Sequence, residues 1–464
     1  MPTVPVQRPP GRRRHYVPPE HLIRRDQGDS RPDFARALTF EERVRGRASS
    51  ELTRPRLIGS AAGTIASLLM TIPAGSARND AAAAIYRELL RSLPDTTRFF
   101  ILTHRSTLDV VEAWPEAVAA GERIRLIAVD DHIHFTDWAQ DPYVIVDSDE
   151  GRAFIEPLQF LRNGDALLAE RLARHAELLT TQAPLYFQGG NFLIGDDFFL
   201  LGADYPRRTR DYVPDVLLPV AGETPEALIE RLFQTTFDSE RRFISVASPV
   251  DVPSVDYIPH EDDAGFWVGE YYTGNQPGTV QPIFHIDMFM TLAGRGEDNR
   301  YRLLVGDPGL ADRILGREPS PYAMQEVFDA VAAELEALGF AVFRNPLPLA
   351  YWDEHVTRDY FRSRDDETFE VLEKHNVEQV QLYHWFFATA NNALVQDRAS
   401  DRRVWLPTYG HGEWRSLAAT DKANAELWAQ LGFTPHLLGD FLPFADRLGA
   451  VHCITKYLER GTSG

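Results

Sequence analysis

From residue 57 onward, short apolar runs alternate with stretches whose apolar residues recur every three or four positions, a pattern that predicts strands alternating with helices. The segment RNDAAAAIYRELLRSL (78–93) predicts a helix capped by Asn79 or Asp80, and RFFILTH (98–104) a strand after it. TLDVVEAWPEAVAAG has helical spacing that Pro115 breaks or restarts, and IRLIAVD (124–130) returns to a strand. A second helical pattern, LQFLRNGDALLAERLARHAELL (158–179), precedes an extended PLYF and the pair FLIG and FFLLG, a hairpin turning at Asp196-Asp197. TPEALIERLFQTTF, YAMQEVFDAVAAELEALGF (322–340) and AATDKANAELWAQLGF predict three more helices, followed in turn by the strands RRFISVAS, AVFRNP and TPHLLGD. The longest uncharged stretch, LIGSAAGTIASLLMTIPAGSA (57–77), is too rich in Gly, Ser and Thr for a membrane span, which wants about 20 apolar residues. It reads as a buried strand flanked by loops.

The class is therefore α/β, and the glycine-rich turn of a dinucleotide-binding unit is absent. Nothing divides residues 56–464, which read as one large domain; residues 1–55, dense in Pro and Arg, read as an N-terminal arm. The chain carries 68 acidic and 48 basic residues, a formal net charge of −20. That balance disfavours nucleic acid, whose phosphates need basic partners. It suits a cationic ligand and, equally, solubility. The one cysteine, Cys453, excludes an intramolecular disulfide and any metal site built from several thiolates. The basic start has no apolar run behind it and does not read as a secretory signal. A cytoplasmic protein with no membrane partner is expected.

Four stretches place polar groups beside strand-like hydrophobics. HIHFTDWAQDPYVIV holds Asp137, Trp138 and Asp141, and YFQGGNFLIGDDFFLLG holds Gln188, Gly190 and Asn191. In FHIDMFMTLAG, strand alternation would put His285 and Asp287 on one face. RLGAVHCITKYLER holds Cys453. A lone cysteine is commonly a small buried hydrophobe; beside a cationic neighbour such as protonated His285 it would be a nucleophile. His132, His134, His285 and Asp287 lack a recognised metal-ligand spacing, and no G-x-S-x-G elbow marks a serine nucleophile. No metal and no cofactor are expected, calcium included, since no acidic cluster reads as an EF-hand.

Taken in order, these stretches resemble the guanidine-modifying, or pentein, superfamily, which includes agmatine, arginine and peptidylarginine deiminases and the amidinotransferases. DWAQDPYVIV is similar to the family's W-x-R-D-x-G-P stretch, QGGNFLIGDD to its E-G-G-N strand, and HIDMFM to its H-x-D motif. LGAVHCIT is similar to the G-G-G-I-H-C-I-T stretch that carries the nucleophile, and ATANNALVQ with VWLPTYG resembles the N-x-L-V and L-P-x-Y strands.

The resemblance implies an α/β-propeller of five ββαβ units around a pseudo-fivefold axis, with residues 56–464 as the catalytic domain. It implies that Cys453 attacks a guanidinium carbon clamped by Asp141 and Asp287, with His285 as acid and then base. Supporting contacts would come from Trp138, Gln188, Gly190, Asn191 and Asn392. The implied activity is hydrolysis of a guanidinium to a ureido group and ammonia, foremost on peptidyl-arginine, since HIDMF followed by YRLLVGDPGLADRIL is more similar to the peptidylarginine deiminase arrangement than to the small-molecule agmatine enzymes. The alternatives are a deiminase of free arginine or agmatine, an amidinotransferase and a non-catalytic binding protein. The expected partner is an arginine-containing peptide or protein, or a small cationic guanidine, and a homodimer is compatible with this. Three positions depart from the family pattern. Gln188 replaces the glutamate that pairs with the histidine, Gln140 replaces the arginine, and Pro142 displaces the usual small residue. Without that glutamate, His285 is expected to have a lower pKa than in those relatives.

Overall fold

The computed structural model describes residues 52–158, 160, 162–212, 222–250, 252, 255–272 and 281–461. Apart from residues 52–55, the expected N-terminal arm lies outside them. Five of the six sheets among the described residues share one plan. An antiparallel pair is followed by a helical crossover and a third strand parallel to the second, as the reach between parallel strands requires.

In the first sheet Thr455–Arg460 pairs with Ile65–Ile72, and Arg98–His104 and Ile124–Val129 add in parallel. The second is Val144–Ser148, Gly151–Glu156 and Leu179–Gln182, with Arg56–Leu57 on its edge. The third is Phe192–Ile194, Phe198–Gly202 and Arg242–Val246. The fourth is Met290–Arg295, Tyr301–Asp307 and Ala341–Pro346. The fifth is Leu394–Arg398, Asp401–Thr408 and Thr434–Asp440. The first sheet thus joins the two ends of the fold, and Cys453 lies in the turn just before its closing strand.

The helices form where their spacing predicts. Asp80–Ser92 starts at Asn79, whose side chain accepts from Ala82 N; such a cap contributes roughly 1 kcal/mol. Pro225–Phe237 starts in the same way at Thr224, with proline preset at its first turn. Gln325–Ala337 and Ala418–Gln430 supply the crossovers of the fourth and fifth units. The uncharged stretch from residue 57 yields the buried strand Ile65–Ile72. Among the described residues no helix is long and apolar enough to cross a membrane.

Two expectations are corrected. The PLYF run is not a strand: the third strand of the second unit is Leu179–Gln182, and its helices begin only at Asn163. Pro184 lacks the N–H a ladder needs, and the run buries its apolar side chains instead, with Phe187 packed edge-on against Phe192 and Phe237. Nor does the strand face hold at His285 and Asp287. Ile286–Met288 is one turn of 3₁₀ helix and the strand starts at Met290, so the two side chains leave in different directions.

The sixth sheet, ordered Val255–Asp262, Gly265–Tyr272, Gln379–Phe387 and Leu349–Thr357, comes from two insertions flanking the fourth unit. Its second insertion runs from Gln379–Phe387 directly into the segment that holds Asn392. The Cys453 side chain belongs to an apolar cluster with Ile286, Met288, Phe289 and Leu292.

Candidate active site

Cys453 is 3% exposed. Its main-chain N–H donates to Asn392 Oδ1 at 3.0 Å, and Asn392 Nδ2 donates to its Sγ at 3.1 Å. Asp287 Oδ2 lies 3.9 Å from the same sulfur and accepts from His452 Nδ1 at 2.7 Å. Two residues before Asp287, His285 turns to Gln188: its Nε2 meets the amide Oε1 at 2.7 Å. An amide oxygen only accepts, so Nε2 carries the proton. Nδ1 is then the nitrogen that faces Asp141 Oδ1, at 3.6 Å. Gly190 makes this approach possible, because a Cβ there would stand 2.6 Å from His285 Nδ1 and 2.9 Å from Asp141 Oδ1. Asn191 fixes the turn between the two motif residues, its Oδ1 accepting from Ile286 N at 2.9 Å.

The two acids are each half engaged. Asp141 Oδ2 accepts from Arg162 Nη2 at 2.8 Å, and Arg162 Nε bonds Asp165 at 2.6 Å. Asp165 is itself held by the Thr136 N–H and hydroxyl. The other oxygens, Asp141 Oδ1 and Asp287 Oδ1, are buried with no hydrogen-bond partner among the described residues. Buried acceptors left open cost free energy unless a guest supplies donors. Burial first, then Asp287 and then Asp141 push the Cys453 thiol well above its ordinary pKa, so the resting sulfur is protonated. A cation brought to the two acids would cancel both of those charge effects.

The residues singled out in the sequence fall into two hydrogen-bonded groups. Cys453, Asp287 and Asn392 form one; His285, Gln188, Asp141 and Gly190 form the other. The N–H of Gln140 ties them together by donating to the Cys453 carbonyl at 3.1 Å. Trp138 stands one layer back, its ring against Phe444 and beneath the Arg447 guanidinium, which pairs with Asp137 at 2.8 Å. Sequence reasoning missed His452, Arg162 and Lys456. His452 adjoins Cys453 in the chain and was findable. Arg162 was hidden at the edge of a helical pattern, and Lys456 in a short terminal strand. Among the described residues no three His, Cys, Asp or Glu side chains gather as metal ligands.

No known family profile matches the sequence, and no curated protein matches it. Solved structures do. An agmatine deiminase from C. jejuni is 11% identical with a TM-score of 0.52, over 88% of this chain and 96% of that one. An agmatine deiminase of Enterococcus faecalis is 12% identical with a TM-score of 0.51, over 87% and 95%. A candidate peptidyl-arginine deiminase is 11% identical with a TM-score of 0.52, over 88% and 100%. Identity this low speaks to architecture alone, and the architecture is an α/β fold shared with these solved deiminase structures.

Proposed function

We propose that the chain is a cysteine-dependent deiminase, hydrolysing the guanidinium of peptidyl-arginine to a ureido group with release of ammonia, and that its five units surround a pseudo-fivefold axis. The observation that carries this reading is the pair of open, buried carboxylate oxygens, Asp141 Oδ1 and Asp287 Oδ1, whose acids both act on the Cys453 thiol. A guanidinium is a planar cation with donors on two edges, the guest such oxygens fit best.

Its charge would offset the two acids and release the thiol proton, and His285 Nδ1 would be the base that takes it. The thiolate forms an S–C bond to the central guanidinium carbon. The C–N bond to one amino group then breaks, with the proton returned from His285 to the departing ammonia. Water, deprotonated by the same nitrogen, adds to the thiouronium carbon. The C–S bond breaks, His285 returns its proton to the sulfur, and the ureido product leaves as the hydroxyl proton passes to solvent, where it charges the ammonia. Asn392, donating to Sγ, steadies the sulfur while it is anionic. The imidazolium formed on the way has Asp141 at Nδ1, which compensates for the neutral amide of Gln188 at Nε2.

A small guanidine is the second reading, favoured by the agmatine deiminases among the similar folds. Assays of ammonia and ureido product should compare a doubly blocked arginine peptide with free arginine and agmatine. The peptide is expected to show the highest kcat/KM; the reverse order replaces the substrate class but keeps the chemistry. Cys453→Ala should abolish ammonia release with an unchanged circular dichroism spectrum, and turnover surviving that change refutes the mechanism.

A further inference from the structure

The chain holds three lysines, Lys374, Lys422 and Lys456, among 48 basic residues. Lys456 is the buried one, 6% exposed and three positions past the nucleophile. Its ammonium donates to the carbonyls of Gln140 at 3.2 Å and Tyr143 at 2.7 Å, on both sides of the Asp141–Pro142 pair. A Cβ on Gly189 would stand 2.7 Å from Nζ, so the glycine before Gly190 also packs directly on it. One amine thus joins the Asp141 segment, the Gln188–Asn191 segment and the strand that follows Cys453. No carboxylate among the described residues pairs with it directly.

We propose that Lys456 is a positioning residue of the site and its built-in proton-linked cation: it holds the Asp141 segment against the nucleophile strand, and it gives up its proton when a guanidinium takes its place in the field of Asp141 and Asp287. The proposal rests on the functional reading above. Both acids stabilise the Lys456 charge, while burial, the larger effect, brings its pKa down to about 7. The other titratable group facing it is Tyr143, with ring centroid 5.9 Å from Nζ; His285 and Arg162 stand against Asp141 itself. His452, Cys453 and Tyr457 lie on its own turn and strand. The Tyr143 and Cys453 protons are held well above their ordinary pKa by burial. Burial also raises Tyr457. A guest cation that satisfies Asp141 and Asp287 withdraws the support for a second positive charge nearby. The proton released goes to solvent; a pocket of about 20 Å³ lined by Lys456, Gln140, Gly189 and His452 is large enough to hold one water beside the amine.

With three lysines, ¹³Cε-lysine labelling gives three signals, and the test uses the full chain carrying Cys453→Ala with agmatine or a blocked arginine amide as ligand. The Lys456 signal is expected to titrate near neutral pH without ligand and at least one pH unit lower at saturation, while the Lys374 and Lys422 signals stay put. Ligand affinity should then be about fivefold tighter at pH 8 than at pH 6 for a one-unit shift, a dependence that Lys456→Met and Lys456→Gln remove. If the ligand binds and the Lys456 midpoint does not move, or lies above pH 9 throughout, this proposal fails and the functional reading stands. If no guanidine binds at all while the free protein titrates as expected, both fail together.

Discussion

Asp141 and Asp287 are one chemical group in two settings. Both are buried, both keep one oxygen open, and both suppress ionisation of Cys453. They differ in what holds the second oxygen. Asp141 faces Arg162, a guanidinium that stays charged at any working pH and is shared with Asp165. Asp287 faces His452, which counters its charge only when protonated. Asp141 is therefore the more fully neutralised acid, and Asp287 has the larger effect on the thiol. The same motif role can fall to an anchored wall on one side and to an active counter-charge on the other.

This contrast can be broken at its strong side first. Asp287→Asn should cut turnover by at least about 10³-fold, since it removes a charge the transition state needs. It should also lower the Cys453 pKa, so neutral iodoacetamide alkylates the thiol faster at a given pH than in the unaltered protein. An unchanged alkylation profile would show that Asp287 is not the suppressing charge. Asp141→Asn should cost less activity, about 10²-fold, but more stability, about 2 kcal/mol, because it strips a buried guanidinium of one of its two partners. Thermal melts of the two variants separate these effects: equal losses in Tm would erase the distinction between wall and counter-charge. The smallest change is Gln188→Glu. An anion at His285 Nε2 favours the imidazolium, so the basic limb of the kcat–pH profile should move up by about one unit. A limb that stays put would show that Asp141 alone sets the state of the ring.

Much of this was legible before any coordinates. The helix from Asp80 and the strand Arg98–His104 follow from periodicity and a cap, and the polar stretches singled out Cys453, His285, Asp287, Asp141 and Asn392, which the fold gathers into the two hydrogen-bonded groups above. What stayed hidden has a physical reason in each case. The 3₁₀ turn at Ile286–Met288 depends on Asn191, some 95 positions away, and no local pattern encodes it. Arg162 and Lys456 look like ordinary surface cations in one dimension; burial and the fold's closure turn them inward. The sixth sheet is assembled from two separate insertions, and parallel pairing between Gly265–Tyr272 and Gln379–Phe387 leaves no periodic trace in either.

The pairing of Ile65–Ile72 with Thr455–Arg460 also sets an order of events during synthesis. Arg460 Nη2 reaches Ser60 O, a partner 400 residues earlier. At about 5–20 residues per second, a growing chain waits roughly 20–80 s for that partner. Through that interval one edge of Ile65–Ile72 lacks its ladder, an exposed apolar edge of the kind that invites aggregation. Asp141, His285, Asp287 and Asn392 all leave the ribosome before the sulfur does. On the reading proposed above, the chain gains its action on a guanidinium, its own arginines included, only once Thr455–Arg460 has paired with Ile65–Ile72.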